Sequence, residues 1–287
     1  MPLALRPTAV AGSRVVKVPA SLPGGWEGLD PFDLSGPSFS ALLRRRAPDL
    51  SPHAVEPVRG GMVDHVEGTT VLAVTYDGGV VMAGDRRATS GNVISKRDMR
   101  KVFEADSWSA VAISGAAGPA MELAKVFATE LEHYEKVEGG PLSLDGKANK
   151  LAQMVRANLP MAMQGMLVVP LFAGYDPRAQ RSCIYEFDVA GGRYEERRFA
   201  TQGSGGRDAR GSLKARYRDG LEREEAIDMA IEALWDAADE DSATGGPDLV
   251  RGIYPLVAVI DAKGYTELDG DTVADRVSTV IAGRRTI

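Results

Sequence analysis

The sequence has few of the side chains from which many enzymes build reactive centres. Its 287 residues include one cysteine, Cys183, and three histidines, His53, His65 and His133. A single cysteine cannot form an internal disulfide, and this usage is typical of a reducing cytoplasm. Because Cys183 lies among apolar residues of a predicted strand, we expect it to be packed rather than reactive. With neither an HExxH segment nor a cysteine cluster, the sequence predicts no metal site and no cofactor.

Long apolar runs are also missing. The absence of any stretch of about 18 apolar residues predicts that no helix spans a membrane. The first twenty residues are interrupted by Arg6, Pro7, Arg14 and Lys17, which excludes the apolar block of a secretory signal, although an acid-poor, arginine-containing start has a weak similarity to a transit peptide. The net charge is −6, and no cluster of Lys and Arg with aromatic residues occurs. This pattern argues against nucleic acid as a partner.

The first 68 residues differ in composition from the rest. They contain nine of the sixteen prolines, and their apolar residues stand singly or in short pairs. This composition predicts a leader with little core of its own. Within it, residues 38–46 fit either a short amphipathic helix or a disordered tail. The remaining 219 residues, 69–287, suffice for a single domain with its own core.

The strongest local signal is a hairpin within residues 68–89. Two apolar runs are joined by Asp77-Gly78, a pair that favours a tight turn between antiparallel strands. Both faces of the first run are apolar, which predicts a strand covered on both sides in a layered domain.

Three reactive side chains are spaced regularly around this hairpin. Thr69 opens the first predicted strand, Asp85 closes the second sixteen residues later, and Lys101 follows after another sixteen. Each alone is most often an ordinary polar surface residue. Together they predict that a hydroxyl, a carboxylate and an amine converge at one strand end.

The rest of the chain alternates between groups of strands and pairs of helices. Apolar periodicity predicts strands at 107–114, 167–175, 181–189, 194–200, 253–261 and 265–268, and helices at 119–134, 146–159, 209–217, 223–238 and 273–282. Because each doubly apolar sheet must be covered on both sides, we expect two sheets stacked face to face with helices outside.

Several motifs occur in one order along the chain. The hairpin carries G-T-T and D-x-R-A-T, Lys101 is followed by Val102, and the later segments are Ile113-Ser114-Gly115-Ala116-Ala117-Gly118, Gly203-Ser204-Gly205-Gly206 and Asp239-Glu240-Asp241-Ser242. In this order the chain, from residue 68 to about 283, resembles the β subunits of proteasome core particles. These are N-terminal threonine hydrolases, activated by cleavage before the first Thr. Residues 38–45 resemble the propeptide of actinobacterial proteasomes.

The resemblance implies an α+β fold, the four-layer αββα sandwich of the N-terminal nucleophile hydrolases. It implies that residues 1–68 are a propeptide, that cleavage separates Gly68 from Thr69, and that 69–287 form the catalytic domain of a threonine endopeptidase. The implied partners are α subunits and further β subunits, with two seven-membered β rings between α rings. A ring-shaped ATPase would deliver unfolded substrates tagged by the prokaryotic ubiquitin-like protein.

Site residues follow from the same resemblance. Thr69 is the expected nucleophile, Asp85 and Lys101 set its protonation, and the Gly115 N–H binds the oxyanion. The expected substrate contacts are Ala88, Thr89, Met99, Ile113 and Ala117. An outer polar group near the terminal amine matches Ser204, Asp239 and Ser242. The usual D-x-x-S-G-G appears here as Asp239-Glu240-Asp241-Ser242-Ala243-Thr244-Gly245-Gly246, so either Asp239 or Asp241 fills the acidic place.

An N-terminal threonine supplies its own general base. Its hydroxyl is a weak nucleophile, but the free α-amine, with a pKa of about 7.7–8.0 against about 10.4 for Lys, accepts a proton near neutral pH. Once the leader is removed, only His133 remains among the histidines, and its helical neighbours predict a solvated surface residue, which leaves no serine or cysteine triad. Two alternatives stay open, a self-processing amidase for a small molecule and a non-catalytic ring subunit.

Overall fold

A computed structural model describes residues 68–284 of the chain. Residues 38–46, for which the sequence left a short helix and a disordered tail open, lie outside the described residues. Among residues 68–284, no helix combines the length and apolar character that crossing a membrane requires. In chain order the elements are β1 (Thr70–Tyr76), β2 (Gly79–Gly84), β3 (Ala88–Ser90), β4 (Val93–Lys96), β5 (Val102–Asp106), β6 (Ser109–Gly115), α1 (Ala117–Glu138), α2 (Leu144–Ala157), α3 (Leu159–Ala162), β7 (Val168–Asp176), β8 (Arg181–Phe187), β9 (Arg193–Glu196), β10 (Phe199–Gly203), α4 (Gly206–Arg216), α5 (Arg223–Glu240), β11 (Leu256–Asp261), β12 (Gly264–Glu267) and α6 (Gly270–Arg284).

Two five-stranded antiparallel sheets form the centre of the protein. The first has the strand order β10-β1-β2-β11-β12 and the second β5-β6-β7-β8-β9, while β3 and β4 form a separate two-stranded ribbon. The predicted hairpin is confirmed, since β1 and β2 pair from Tyr76 opposite Gly79 to Val71 opposite Gly84. Gly78 takes φ of +98° in the turn, a conformation that glycine adopts readily.

The sheets pack face to face, with helices on both outer sides. Between the sheets, Val71 and Met82 of the first contact the apolar cluster that includes Ala112 and Leu171 of the second. The outer face of the first sheet is covered by α4, α5 and α6, and that of the second by α1 and α2. The expected α+β fold, a four-layer αββα sandwich, is confirmed.

Helix periodicity explains how the outer layers attach. In α1 the buried side chains recur at helical spacing, with Leu123, Phe127 and Leu131 on the inner face. The ring of Phe127 meets that of Phe172 from β7 edge-on at 5.8 Å between centroids, an arrangement that aromatic pairs favour. Ser143 caps α2 by accepting a hydrogen bond from the Gly146 N–H.

Several predicted elements differ in their bounds from those observed. Residues 194–200, expected as one strand, are divided between β9 in the second sheet and β10 in the first. The chain crosses from one sheet to the other at Arg197 and Arg198, whose side chains are exposed. Polar residues at these positions fit an exposed strand equally well, so the sequence pattern did not indicate the crossing. Pro160 was expected to end the second helix. That helix ends at Ala157, and Pro160 lies in the first turn of α3, where its missing N–H is tolerated.

The predicted strand at 253–261 is also shorter than expected, and begins at Leu256. It follows Pro255, which lacks the N–H that strand pairing requires. Strands β3, β4 and β5 were not predicted, because their short runs carry little periodicity of their own. The β3–β4 ribbon nevertheless supplies Thr89 to the site described below.

Candidate active site

Asp85 lies at the end of β2 with a fully buried side chain. Its Oδ1 accepts hydrogen bonds from Lys101 Nζ at 2.6 Å and the Thr70 N–H at 2.8 Å. Its Oδ2 accepts from the N–H groups of Arg87 and Gly245, each at 2.8 Å. A buried carboxylate needs such compensation for its lost hydration. Asp85 therefore joins four segments of chain at one point.

Lys101 precedes β5, and its side chain is buried as deeply as that of Asp85. Besides the ion pair with Asp85, its Nζ donates to the carbonyl oxygen of Gly68 at 3.3 Å. The ammonium is therefore aimed at the peptide bond that joins Gly68 to Thr69. The sequence predicted the convergence of Thr69, Asp85 and Lys101, and the structure brings them together.

The Gly68–Thr69 junction is held on several sides. The Gly68 N–H donates to Thr89 Oγ1 at 3.0 Å, and the Thr69 N–H donates to Ser204 Oγ at 3.3 Å. Thr69 is only 4% exposed. With the contact from Lys101 to the Gly68 carbonyl, this peptide bond is surrounded by polar side chains at one end of the first sheet.

Position 68 has room for glycine only. A Cβ at Gly68 would lie 1.9 Å from the Cβ of Ala243 and 2.7 Å from its carbonyl oxygen. The approach of Ala243 therefore brings the loop after α5 directly against the junction.

The loop after α5 decides which acidic residue approaches the junction. Asp241 Oδ2 accepts a short hydrogen bond from the Ser204 hydroxyl, which in turn accepts from the Thr69 N–H. Asp239 lies in the last turn of α5 with an exposed side chain. The side chain of Ser242 is exposed as well, and its carbonyl oxygen accepts from an arginine. The structure brings Asp241, and not Asp239, to Ser204.

The surroundings of Asp241 favour its charged form. Burial acts to raise the pKa of this carboxyl, but hydrogen bonds from the Ser204 and Thr244 hydroxyls oppose that effect. The Ala243 N–H and the positive charge of Lys101 act in the same direction, and the pKa of Asp241 lies below its usual value. The group that accepts the hydrogen bond from Ser204 is therefore a carboxylate at neutral pH.

The residues expected to contact substrate also cluster. Ala88, Met99 and Ile113 are buried in one apolar cluster, and Ala117 packs against it. Gly115, the expected oxyanion donor, ends β6 with φ of +98°, and a Cβ there would lie 2.1 Å from the Leu167 carbonyl oxygen.

Other reactive groups lie elsewhere or are absent from the described part. Cys183 is buried, as predicted, and burial raises the pKa of its thiol. The side chain of His133 is exposed on α1. Within residues 68–284, no group of three or more His, Cys, Asp or Glu residues could hold a metal ion.

Comparison with known proteins identifies the family to which this chain belongs. The profile of the family described as proteasome subunit matches residues 66–250, a range that includes Thr69, Asp85 and Lys101. The chain belongs to the proteasome subunit family. This confirms the resemblance that the motifs indicated.

Individual relatives place the chain among the β subunits. It is 56% identical over 271 residues to proteasome subunit beta of Acidothermus cellulolyticus, covering 91% of this chain and 93% of the relative. It is 55% identical over 240 residues to that of Acidimicrobium ferrooxidans, covering 84% and 87%. It is 50% identical over 250 residues to that of Streptomyces griseus, covering 86% and 88%. The chain is thus similar to proteasome β subunits, members of a threonine peptidase family that assemble with α subunits.

One part of the site was not predicted from the family pattern. Thr70 and Thr244 are both fully buried, and their hydroxyl oxygens lie 2.6 Å apart. Counted from Asp241, the segment Asp241-Ser242-Ala243-Thr244-Gly245-Gly246 has the spacing of the usual D-x-x-S-G-G, with Thr244 in the position of the serine. The fit of this pattern to Asp241, rather than to Asp239, was the available signal for Thr244.

Proposed function

We propose that this chain is the catalytic β subunit of a proteasome core particle, a threonine endopeptidase that removes its own leader, residues 1–68. The observation that carries the proposal is the set of contacts at the Gly68–Thr69 bond. Lys101 Nζ donates to the Gly68 carbonyl at 3.3 Å, and Ser204 Oγ accepts from the Thr69 N–H at 3.3 Å. A surface threonine in a structural subunit has no need of such an arrangement.

Self-cleavage begins at the hydroxyl of Thr69. Its Oγ attacks the Gly68 carbonyl carbon, which the ammonium of Lys101 polarises, and the hydroxyl proton moves to the departing nitrogen. The C–N bond breaks, and the Gly68 acyl group is left as an ester on Thr69 Oγ. A water molecule hydrolyses this ester. The products are the leader with a C-terminal carboxylate and a chain that begins at Thr69 with a free amine and a free hydroxyl.

The same groups then cleave substrate peptides. The new α-amine of Thr69 takes the hydroxyl proton while Oγ attacks the scissile carbonyl, and it returns that proton to the leaving amine. Water hydrolyses the acyl-enzyme in a second cycle. The positive charge of Lys101, held by Asp85, favours the neutral and basic form of the amine. The N–H of Gly115 stabilises the oxyanion, and Ser204 with Asp241 positions the terminal amine.

Substrate enters in the position that Gly68 occupies before cleavage. Support comes from Thr89, whose hydroxyl accepts the Gly68 N–H at 3.0 Å and would accept the N–H of a substrate residue in the same way. We assign the side chain before the scissile bond to the apolar residues Ala88, Met99, Ile113 and Ala117. An apolar pocket disfavours charged side chains, which would lose their hydration there.

The remaining parts of the proposal concern partners and location. The β subunits form two seven-membered rings between rings of α subunits, and a ring-shaped ATPase feeds unfolded proteins carrying the prokaryotic ubiquitin-like tag. The particle works in the cytoplasm. These statements extend the family membership and the similarity to actinobacterial β subunits.

The test is expression of the full chain together with an α subunit, followed by native mass, intact mass and peptide hydrolysis. We expect the wild type to begin at Thr69 and to hydrolyse peptides. Thr69→Ala should assemble, keep its leader and hydrolyse nothing. Thr69→Ser keeps the hydroxyl and should therefore retain part of the activity. The rest should be lost, because without the β-methyl group χ1 of the nucleophile is no longer restricted.

Thr279→Ala serves as the matched control, because Thr279 is an exposed threonine on α6 whose hydroxyl donates to the Asp275 carbonyl of its own helix. It should behave as wild type. Wild-type hydrolysis by Thr69→Ala, or an active particle with Met1 still attached, would refute the proposal.

A further inference from the structure

The segment between β4 and β5 carries Lys101 into the candidate site. Its residues, 97–101, belong to neither strand. The N–H of Met99 donates to the Arg86 carbonyl oxygen at 2.8 Å, and the Met99 carbonyl accepts from Arg86 Nε at 3.2 Å. The carbonyl of Lys101 accepts from the Ile113 N–H at 2.9 Å. The main chain is thus held on either side of a single residue, number 100.

That residue is an arginine whose side chain reaches the opposite sheet. Arg100 Nη1 donates to Glu267 Oε1 at 3.3 Å, and Nη2 donates to Glu267 Oε2 in a short hydrogen bond. Its Nε donates to the Val102 carbonyl oxygen at 3.0 Å, and its guanidinium carbon lies 5.9 Å from the centre of the Phe103 ring. Paired contacts to both carboxylate oxygens fix the plane of a guanidinium. Arg100 is therefore oriented by four separate contacts.

Glu267 lies on a strand that is itself tied to β5. It ends β12, the edge strand of the first sheet, whereas β5 is the edge strand of the second. The Tyr265 hydroxyl donates to Glu267 Oε2 at 3.3 Å, and the Tyr265 N–H donates to the carbonyl oxygen of Ser107, just after β5, at 2.7 Å. A Cβ at Gly264 would lie 2.8 Å from that same oxygen. Strand β12 is therefore joined to both ends of β5, by main chain after it and by Arg100 before it.

We propose that Arg100, through its ion pair with Glu267, is a positioning residue that holds residues 99–101 and so sets the place of the Lys101 ammonium at the Gly68–Thr69 bond. The proposal rests on the proposed function, in which this ammonium first polarises the Gly68 carbonyl and then acts on the terminal amine. Arg100 touches neither substrate nor the reacting atoms, and it acts only through the chain that carries Lys101.

The two contacts of the Lys101 ammonium differ in their tolerance of movement. Its distance to Asp85 Oδ1 is 2.6 Å, whereas its distance to the Gly68 carbonyl oxygen is 3.3 Å. The second lies beyond the usual range of a hydrogen bond, so a further shift of a few tenths of an ångström would break it. The flexible Lys side chain can follow Asp85 through such a shift. Loosening of residues 99–101 should therefore affect the reaction more than the fold.

The test removes each partner of the ion pair in turn. Arg100→Gln removes the guanidinium, and Glu267→Gln removes the partner charge while leaving residues 97–101 unaltered. Both single variants and the double variant are made in the full chain and co-expressed with an α subunit. We expect kcat on a reporter peptide, per assembled particle, to fall about threefold in each single variant with KM within about twofold, the effect of a partly exposed ion pair. The double variant should lose no more, because both changes remove the same contact.

The pH profile distinguishes positioning from general support of the fold. The positive charge of Lys101 favours the neutral form of the terminal amine, whereas the carboxylates of Asp85 and Asp241 favour the charged form. Displacement of the ammonium raises the pKa of the amine, which must be neutral to accept a proton. The single variants should therefore lose activity at a higher pH on acidification than the wild type. A purely structural role would lower the melting temperature and leave this limb of the profile in place.

Arg218→Gln serves as the matched control. Arg218 is an exposed arginine between α4 and α5 whose Nη2 donates to both carboxylate oxygens of Glu225, at 2.6 and 2.7 Å. Like Arg100, it also donates to a main-chain carbonyl two residues onward, that of Gly220 at 3.4 Å. It has no contact with the segment that carries Lys101, so this variant should keep the wild-type kcat and pH profile.

Wild-type kcat in both single variants, additive losses in the double variant, or an unshifted acidic limb would overturn the proposal. If Arg100→Gln does not assemble, Glu267→Gln decides alone by the same kcat and pH criteria. Thr69→Ala is measured in parallel. Activity without the nucleophile refutes the proposed function, whereas an inactive Thr69→Ala with unchanged Arg100 and Glu267 variants refutes only the role of the ion pair.

Discussion

Replacing Asp85 by asparagine keeps the shape of the side chain but removes its charge and turns one acceptor into a donor. Each oxygen of Asp85 accepts two hydrogen bonds, Oδ1 from Thr70 and Lys101 and Oδ2 from Arg87 and Gly245. Whichever way the amide lies, its NH₂ group faces two donors. At least two hydrogen bonds are lost, and the buried ammonium of Lys101 loses its ion pair with the Asp85 carboxylate.

The cost follows from these contacts. Each unsatisfied buried donor costs about 1–3 kcal/mol, and breaking a buried ion pair costs about 3–5 kcal/mol. We expect the free energy of unfolding to fall by about 3–5 kcal/mol, which for a domain of this size lowers the melting temperature by about 6–20 °C. Peptide hydrolysis should fall at least about a hundredfold, because Lys101 is no longer held in place.

The assay measures the melting temperature, leader removal and hydrolysis of the full chain co-expressed with an α subunit, at equal concentrations. The matched control is Asp77→Asn in the exposed hairpin turn, where Asn-Gly suits the turn as well as Asp-Gly. That variant should match the wild type in all three. The reasoning is refuted if Asp85→Asn melts and hydrolyses as the wild type does.

Three further predictions test other parts of the structure. Gly68→Ala should keep its leader attached in intact-mass analysis, because the new Cβ would lie 1.9 Å from the Cβ of Ala243; complete processing would contradict the packing of that loop. Peptides with Leu, Tyr or Phe before the scissile bond should be cleaved faster than those with Arg or Glu, since burying a large apolar side chain contributes about 1.5–3 kcal/mol, and a preference for charged residues would show that the pocket is assigned wrongly. Burial raises the pKa of the Cys183 thiol, so a thiol reagent should label the native chain at least about tenfold more slowly than the chain unfolded in urea; equal rates would show that Cys183 is accessible.

Local patterns predicted most elements of the fold but not every boundary. Hairpin β1–β2 was evident from the Asp-Gly turn between apolar runs, and α1 from its helical spacing. The division of 194–200 between two sheets was not, because the side chains of Arg197 and Arg198 have the same polarity in an exposed strand as in a crossing. Pairing between distant segments decides such a case, and short-range periodicity carries no information about it.

In the candidate site, too, the sequence indicated some residues and left the choice of others open. Motifs and their spacing indicated Thr69, Asp85 and Lys101, since each lies at or next to the end of a strongly patterned strand. The choice between Asp239 and Asp241 stayed open, because Ser242 lies at the serine's usual distance from Asp239, whereas Gly245-Gly246 lie at the glycines' usual distance from Asp241. In the structure α5 continues through Glu240 and leaves Asp239 exposed in its last turn. Asp241 is the first residue after this helix, and its carboxylate accepts a hydrogen bond from Ser204.

The sequence by itself determined the family and the layered fold, and it indicated Thr69, Asp85 and Lys101 as candidates, because the order and spacing of residue types along the chain carry this information. Only the tertiary structure decided that Ala243 excludes any side chain at position 68, and that Thr70 and Thr244 meet as a buried pair. These contacts join residues 174 and 175 positions apart in the chain. The physical reason is that hydrogen bonds and close packing depend on distances of a few ångströms, which arise only when β1, the α4 loop and the end of α5 are brought together.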